Sequence, residues 1–180
     1  MKTTENAKFK KCCNINAFKD LRRGTETMVK ILFVCHGNIC RSPMAEFVMK
    51  DMVRKAGLER RFEIASAATS REELGNSVYP PARRKMAEHG IDCSGKTARL
   101  MTKADYAHYD LLICMDSYNL RNMARICPDT EGKYRMLLDY TDDPRDVADP
   151  WFTGDFEATW QDVNRGCAAL LATLKKEGKL

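Results

Sequence analysis

The chain has 180 residues, 44% hydrophobic and 31% charged, which suits about one globular domain with a substantial core. No apolar run approaches the roughly 18 residues that span a membrane, and no apolar segment follows the N-terminal lysines as a secretory signal requires. The formal net charge is +5; much of it sits at the front (Lys2, Lys8, Lys10, Lys11, Lys19, Arg22, Arg23), which reads as a solvated extension rather than a nucleic-acid- or lipid-binding tail.

Eight cysteines in a chain this long and rich in ordinary core residues read as reduced thiols of a cytoplasmic protein, not as a disulfide scaffold. There is no Cys-x-x-Cys pair, and His36, His89 and His108 lie far from metal-like spacing, so neither metal nor cofactor is expected. Cys114 and Cys167 sit among apolar neighbours and read as core.

Residues 1–27 show no sustained period. One reading makes them an N-terminal extension, disordered or loosely packed, with Met28 as the functional start. Another makes them a helix lying on the domain through Phe9, Ile15, Phe18 and Leu21. The sequence leaves both open. From residue 28 to 180 the pattern is regular. Val29 to Val34 is a short, β-branched apolar run, hence a buried strand. Ser42 as N-cap and Pro43 as first helical residue open a helix with Met44, Phe47, Val48 and Met52 on one face, and Gly57 closes it. Phe62 to Ala67 is a second strand. Pro80-Pro81 opens a helix that Gly90 closes. Tyr109 to Met115 is a third strand, followed by a helix capped by Ser117. Tyr134 to Leu138 is a fourth. A polar loop with Asp142, Asp143, Pro144, Asp146, Asp149 and Pro150 leads into a helix with Phe156, Trp160, Val163, Cys167, Leu170, Leu171 and Leu174 on one face.

Strands alternating with helices predict an α/β domain of three layers, with a parallel sheet covered on both faces. Right-handed crossovers gather the loops after the strands along one edge, where ligands of such folds bind. The loop Cys35-His36-Gly37-Asn38-Ile39-Cys40-Arg41-Ser42 lies on that edge. Gly37 allows a tight turn whose amides form an oxyanion cradle, and the helix beginning near Ser42 adds its positive end. Arg41 supplies a forked donor pair for a phosphoryl group. Cys35 stands at the mouth of this site, where amides, helix terminus and guanidinium all favour the thiolate. A nucleotide-binding loop would need Gly-Lys-Ser/Thr where Cys40-Arg41-Ser42 stands.

The segment VCHGNICRSPMAE resembles the signature of low-molecular-weight protein tyrosine phosphatases, and SAATS at 66–70, ICMD at 113–116 and DPWFTGDF at 149–156 fall in that family's order. The resemblance implies a four-stranded parallel sheet with flanking helices in flavodoxin-like winding. It implies that Cys35 attacks phosphorus and carries a phosphocysteine, and that Arg41 binds the phosphoryl oxygens and stabilises the transition state. His36, Gly37, Asn38, Ile39, Cys40 and Ser42 would bind phosphate and support the loop, with Ser42 donating to the Cys35 thiolate and Asn38 bonding through its side chain to Asn119. Of the two Asp-Pro pairs, Asp149-Pro150 fits the family motif, so Asp149 is expected as general acid and then base. Trp151 and Phe152 would wall a slot for a flat ring. Two features depart from many relatives. Phosphorylatable tyrosines after Asp-Pro are replaced by Trp151 and Phe152, and Arg71-Glu72-Glu73 stands where animal relatives often place a tryptophan, making that side of the cleft more open and polar around Glu72. Ile39 occupies a position where related arginine phosphatases carry threonine and points to phosphotyrosine. Cys40 reads either as a reversible disulfide partner for an oxidised Cys35 or as a small buried support.

The expected function is therefore hydrolysis of protein phosphotyrosine by a monomer, with tyrosine-phosphorylated proteins, a bacterial tyrosine kinase among them by analogy, as partners and no nucleic acid or membrane. The alternatives are a protein arginine phosphatase, a thioredoxin-linked arsenate reductase needing Cys114 and a distant Cys127 as redox pair, and a non-catalytic phosphate reader.

Overall fold

The computed structural model describes residues 28–180; the segment 1–27, with both readings made of it, lies outside the described residues. Strand β1 (Val29–Cys35) leads through a short loop into α1 (Arg41–Lys55), and β2 (Phe62–Ala68) follows. Next come α2 (Pro80–Glu88), α3 (Lys103–His108), β3 (Leu111–Cys114), α4 (Ser117–Ile126) and β4 (Tyr134–Met136). A short helix α5 (Pro150–Thr153) precedes the long α6 (Phe156–Lys176). The four strands form one sheet in the order β2-β1-β3-β4, parallel throughout. This is the expected sheet.

The continuous apolar character of β1 follows from burial on both faces. Ile31 and Phe33 join a core with Met44, Val48 and Met49 of α1 and Val163, Cys167 and Leu170 of α6. Leu32 and Val34 join a second core with Met101, Tyr106, Leu112 and Met123. The order reverses between β1 and β3, which opens a crevice beyond their carboxyl ends. Cys35 ends β1 there, and Asp116 follows β3.

Several element ends differ from the sequence reading. Cys40, not Ser42, is the N-cap of α1 and makes no side-chain cap; Ser42 and Pro43 lie within the first turn. Proline is tolerated there because first-turn N–H groups lack intrahelical partners anyway. Asp116, not Ser117, caps α4 and accepts the Asn119 N–H at 2.6 Å. The third strand is shorter than Tyr109 to Met115, since Tyr109 ends α3. That helix escaped prediction: six residues show no period, although Thr102 and Asp105 form a capping box. The fourth strand stops at Met136, and Leu137–Tyr140 tighten into a 3-10 turn.

Candidate active site

The Cys35–Ser42 loop begins where the β1 hydrogen bonds end. Its sharp turn falls on Asn38, with φ 58°, rather than on Gly37, and asparagine is among the few side chains that tolerate this left-handed region. Gly37 answers a different need: a Cβ there would lie 3.1 Å from Glu73 Cγ. Asn38 is held from every side. Its Nδ2 donates to Ser42 Oγ and Ser66 Oγ, both at 2.8 Å. Its Oδ1 accepts from Lys96 Nζ at 3.1 Å and from the Arg99 N–H at 3.2 Å. Ser66 Oγ in turn donates to the buried Glu46 at 2.5 Å. None of these bonds reaches Asn119. The expected Asn38–Asn119 bond is absent, and the buried Asn119 side chain has no hydrogen-bond partner among the described residues.

The consequence for Cys35 is directional. Ser42 Oγ lies 3.0 Å from Cys35 Sγ and accepts from Asn38, and its single proton can point either at sulfur or at the Ala67 carbonyl, the latter 3.5 Å away. The Asn38 N–H adds a second donor at 3.3 Å. Cys40, one loop residue away from Arg41, is chemically opposite: burial, then the charge of Cys35, push its thiol up to about 12. Both cysteines are free thiols.

Arg41 is buried, yet its guanidinium meets two carboxylates. Nη1 donates to Asp116 at 2.5 Å and to the Val147 carbonyl at 3.1 Å, while Nη2 donates to Asp149. Burial alone would weaken its charge, but Cys35, Asp149 and Asp116 outweigh that and hold it firmly protonated. Asp149 also caps α5 by accepting the Trp151 N–H at 3.1 Å. These groups line one cleft of about 650 Å³ with Cys35 and Ile39. Asp143, the acid of the other Asp-Pro pair, is not among its lining residues.

The rim is part aromatic and part acidic. Trp151 packs against Tyr79, ring centroids 5.2 Å apart, and Phe152 is 85% exposed. On the other side, Glu72 bonds the His36 ring at 3.1 Å, and half-exposed Tyr118 lies 6.3 Å from that ring with Arg121 over its face. Sequence reasoning missed Tyr118, Lys96, Glu46 and the role of Asp116. Only Asp116 carried a local signal, as an acid directly after a buried strand on the ligand edge. Cys114, required by the arsenate-reductase alternative, is buried in the second core with its thiol pushed up by burial, and it donates to the Arg135 carbonyl. Among the described residues, no group of three or more His, Cys, Asp or Glu could hold a metal ion, and no helix is long and apolar enough to cross a membrane.

The sequence pattern of the low molecular weight phosphotyrosine protein phosphatases matches residues 30–180. The chain belongs to this family. It is 39% identical to the low molecular weight protein-tyrosine-phosphatase YfkJ of Bacillus subtilis over 158 residues, 85% of this chain and 100% of that one. It is 38% identical to the human low molecular weight phosphotyrosine protein phosphatase, over 78% of this chain and 92% of the human one. The crystal structure of YfkJ superposes with a TM-score of 0.81 at 36% identity, covering 87% of this chain and 99% of that one. The low molecular weight protein tyrosine phosphatase of Streptococcus pyogenes gives 0.74 at 37% identity, covering 82% and 93%. In this family member Cys35, Arg41, Asp116 and Asp149 all lie within the matched range.

Proposed function

We propose that this chain hydrolyses protein phosphotyrosine through a phosphocysteine intermediate. The observation that carries the reading is convergence: a thiol facing two donors, a buried guanidinium and a carboxyl group from a distant loop share one cleft. Arg41 is paired with both Asp116 and Asp149. An entering phosphoryl dianion competes for the same fork. Nη2 turns from Asp149 to the phosphoryl oxygens, while Asp116 and the Val147 carbonyl keep the Arg41 side chain in place. That exchange frees the Asp149 carboxylate, which takes up a proton from solvent and faces the ester oxygen.

The Cys35 thiolate then forms the S–P bond as the P–O bond to the phenol breaks, and protonated Asp149 gives its proton to the leaving oxygen. In the second step Asp149, now a carboxylate, takes a proton from water as the O–P bond forms and the S–P bond breaks. Inorganic phosphate leaves and the thiolate returns. The transition states are loose, so positioning and charge do most of the work. Trp151 supplies the wall for the phenol ring, and Ile39 gives the loop an apolar side chain beside it. Tyrosine-phosphorylated proteins are the substrate class, a bacterial tyrosine kinase being one by analogy alone. We also read the chain as a cytoplasmic monomer, where a reducing setting keeps Cys35 a free thiol.

Hydrolysis of phenyl phosphate by wild type, Cys35→Ser and Asp149→Ala tests the mechanism. The serine variant is expected to be inactive and the alanine variant to lose about 10²-fold or more in kcat/KM. Normal turnover by Cys35→Ser would overturn it. Phosphotyrosine and phosphoarginine peptides assayed side by side test the specificity; faster release from phosphoarginine would reassign the substrate.

A further inference from the structure

Four charged side chains near the Asp149 loop have no part in the chemistry above. Arg145 lies on the loop and presents its fork to Asp162 of α6: Nη1 to Oδ2 and Nη2 to Oδ1, each at 2.7 Å. Its Nε donates to Asp143 at 2.9 Å. Arg165, one turn along α6, closes the ring by donating to Asp143 at 3.2 Å and to Asp162 at 3.4 Å. Signs alternate around the ring. Asp162 is 7% exposed, whereas the other three side chains face solvent. Isolated surface ion pairs contribute little, but a bidentate pair inside a network, with one partner buried, has the geometry that does matter. Asp143 is held below the ordinary carboxylate range by its bonds to Arg145 and Arg165.

Position gives the ring its meaning. No helix or strand lies between Thr141 and Asp149. Downstream of the ring each residue has its own tie. The Asp146 carboxylate accepts the Ser117 N–H and hydroxyl at 3.1 and 3.2 Å. The Val147 N–H donates to the Met115 carbonyl at 2.8 Å. The Ala148 carbonyl accepts from Thr159 at 3.3 Å. Asp149 follows. The ring is the upstream tie, and it fastens the loop to the helix that packs on α1.

We propose that the ring of Asp143, Arg145, Asp162 and Arg165 is a positioning device that holds the loop so that Asp149 reaches the leaving-group oxygen. The proposal rests on Asp149 being the general acid. Breaking the ring should then impair protonation of the leaving group more than phosphate binding, because the Cys35 loop is anchored elsewhere and Arg41, though it donates to the Val147 carbonyl of this loop, is also held by Asp116 beyond β3.

The experiment compares kcat/KM for phenyl phosphate, whose phenolate needs a proton, with that for 2,4-dinitrophenyl phosphate, whose phenolate does not. Wild type, Asp149→Ala, Arg145→Lys and Asp162→Asn are assayed together, with inhibition by inorganic phosphate measured for each. Arg145→Lys keeps the charge, loses the fork and changes only an exposed residue, so it reports even where Asp162→Asn fails to fold. Arg145→Lys and Asp162→Asn are expected to lose about tenfold or more on phenyl phosphate and less than about twofold on the dinitrophenyl ester, the scale expected for a displaced catalytic group. Phosphate inhibition should change by less than about twofold, since Asp116 and the Cys35 loop keep their own anchors. Equal losses on both esters, or none on phenyl phosphate, would overturn the ring's role while Asp149→Ala still discriminates between them. Failure of Asp149→Ala to discriminate would overturn the acid assignment and the ring with it.

Discussion

Lys96 is the least expected participant at the residue scale. Its ammonium sits beneath the Cys35–Ser42 loop, donating to the Asn38 side chain and to the Ser66 and Thr97 carbonyls, with Glu46 3.7 Å away. Burial lowers its pKa from the ordinary value, and Glu46 offsets part of that. Through Asn38 it helps to aim the Ser42 hydroxyl at Cys35. Lys96→Met removes a charge-assisted bond of the kind that contributes about 1.5–3 kcal/mol, so kcat on an aryl phosphate is expected to fall about tenfold. An unchanged kcat in a folded variant would show that the Arg99 N–H alone suffices to hold Asn38. The grouping of Cys35, Arg41 and Ser42 was legible because a thiol, a guanidinium fork and a hydroxyl fell in one eight-residue loop between strand and helix. Lys96 was not legible. It lies 58 residues from Asn38, and nothing in its neighbourhood marks a lysine as buried.

Legibility at the scale of elements followed length. The seven apolar positions of α6 repeat over more than five turns, and that helix was read almost to its ends. The six residues of α3 could not show a period. Helix α6 also contains a glycine, Gly166, with no turn to make. It packs so closely on the 3-10 turn Leu137–Tyr140 that a Cβ would lie 2.5 Å from Leu137 Cγ, and Leu137 is fully buried. Gly166→Ala would gain helix propensity worth about 1 kcal/mol, yet it must push a branched carbon through packed core, where overpacking costs roughly 1–3 kcal/mol. Net destabilisation is expected in urea unfolding, with the midpoint lowered and the slope unchanged. A rise in midpoint would mean that the turn yields easily.

For the molecule as a whole, acid stability depends on carboxylates that the fold has paired. Asp105 is one that links distant segments. Burial would raise its pKa, but the two bonds from Arg99, at 2.9 and 3.0 Å, and the Thr102 N–H at 2.7 Å hold it below the ordinary range. A depressed carboxyl contributes stability above its unfolded pKa and loses it as pH falls through the folded one. The loss therefore lies below the ordinary carboxylate range, not near neutrality. Asp105→Asn is expected to lower stability at pH 7 and to flatten the acid limb of a melting-temperature profile in that window. Parallel profiles for the two proteins would exclude the linkage.

The sequence by itself determined the strands, the long helices, the loop that carries Cys35 and the type of sheet, because those follow from periods and turn chemistry among near neighbours. It offered two Asp-Pro pairs and preferred Asp149 as the candidate acid by motif alone. Only the tertiary structure decided that Asp149 meets Arg41 from 108 residues away while Asp143 turns outward into an ion-pair ring on α6. It also decided that Asp116 shares the same guanidinium, and that Tyr118 faces His36 across a rim left acidic by Glu72. The physical reason is one of range. Local spacing sets which backbone bonds form within a turn or two, whereas contacts across the crevice exist only once β1 and β3 lie side by side and the covering helices bring their loops to the same edge.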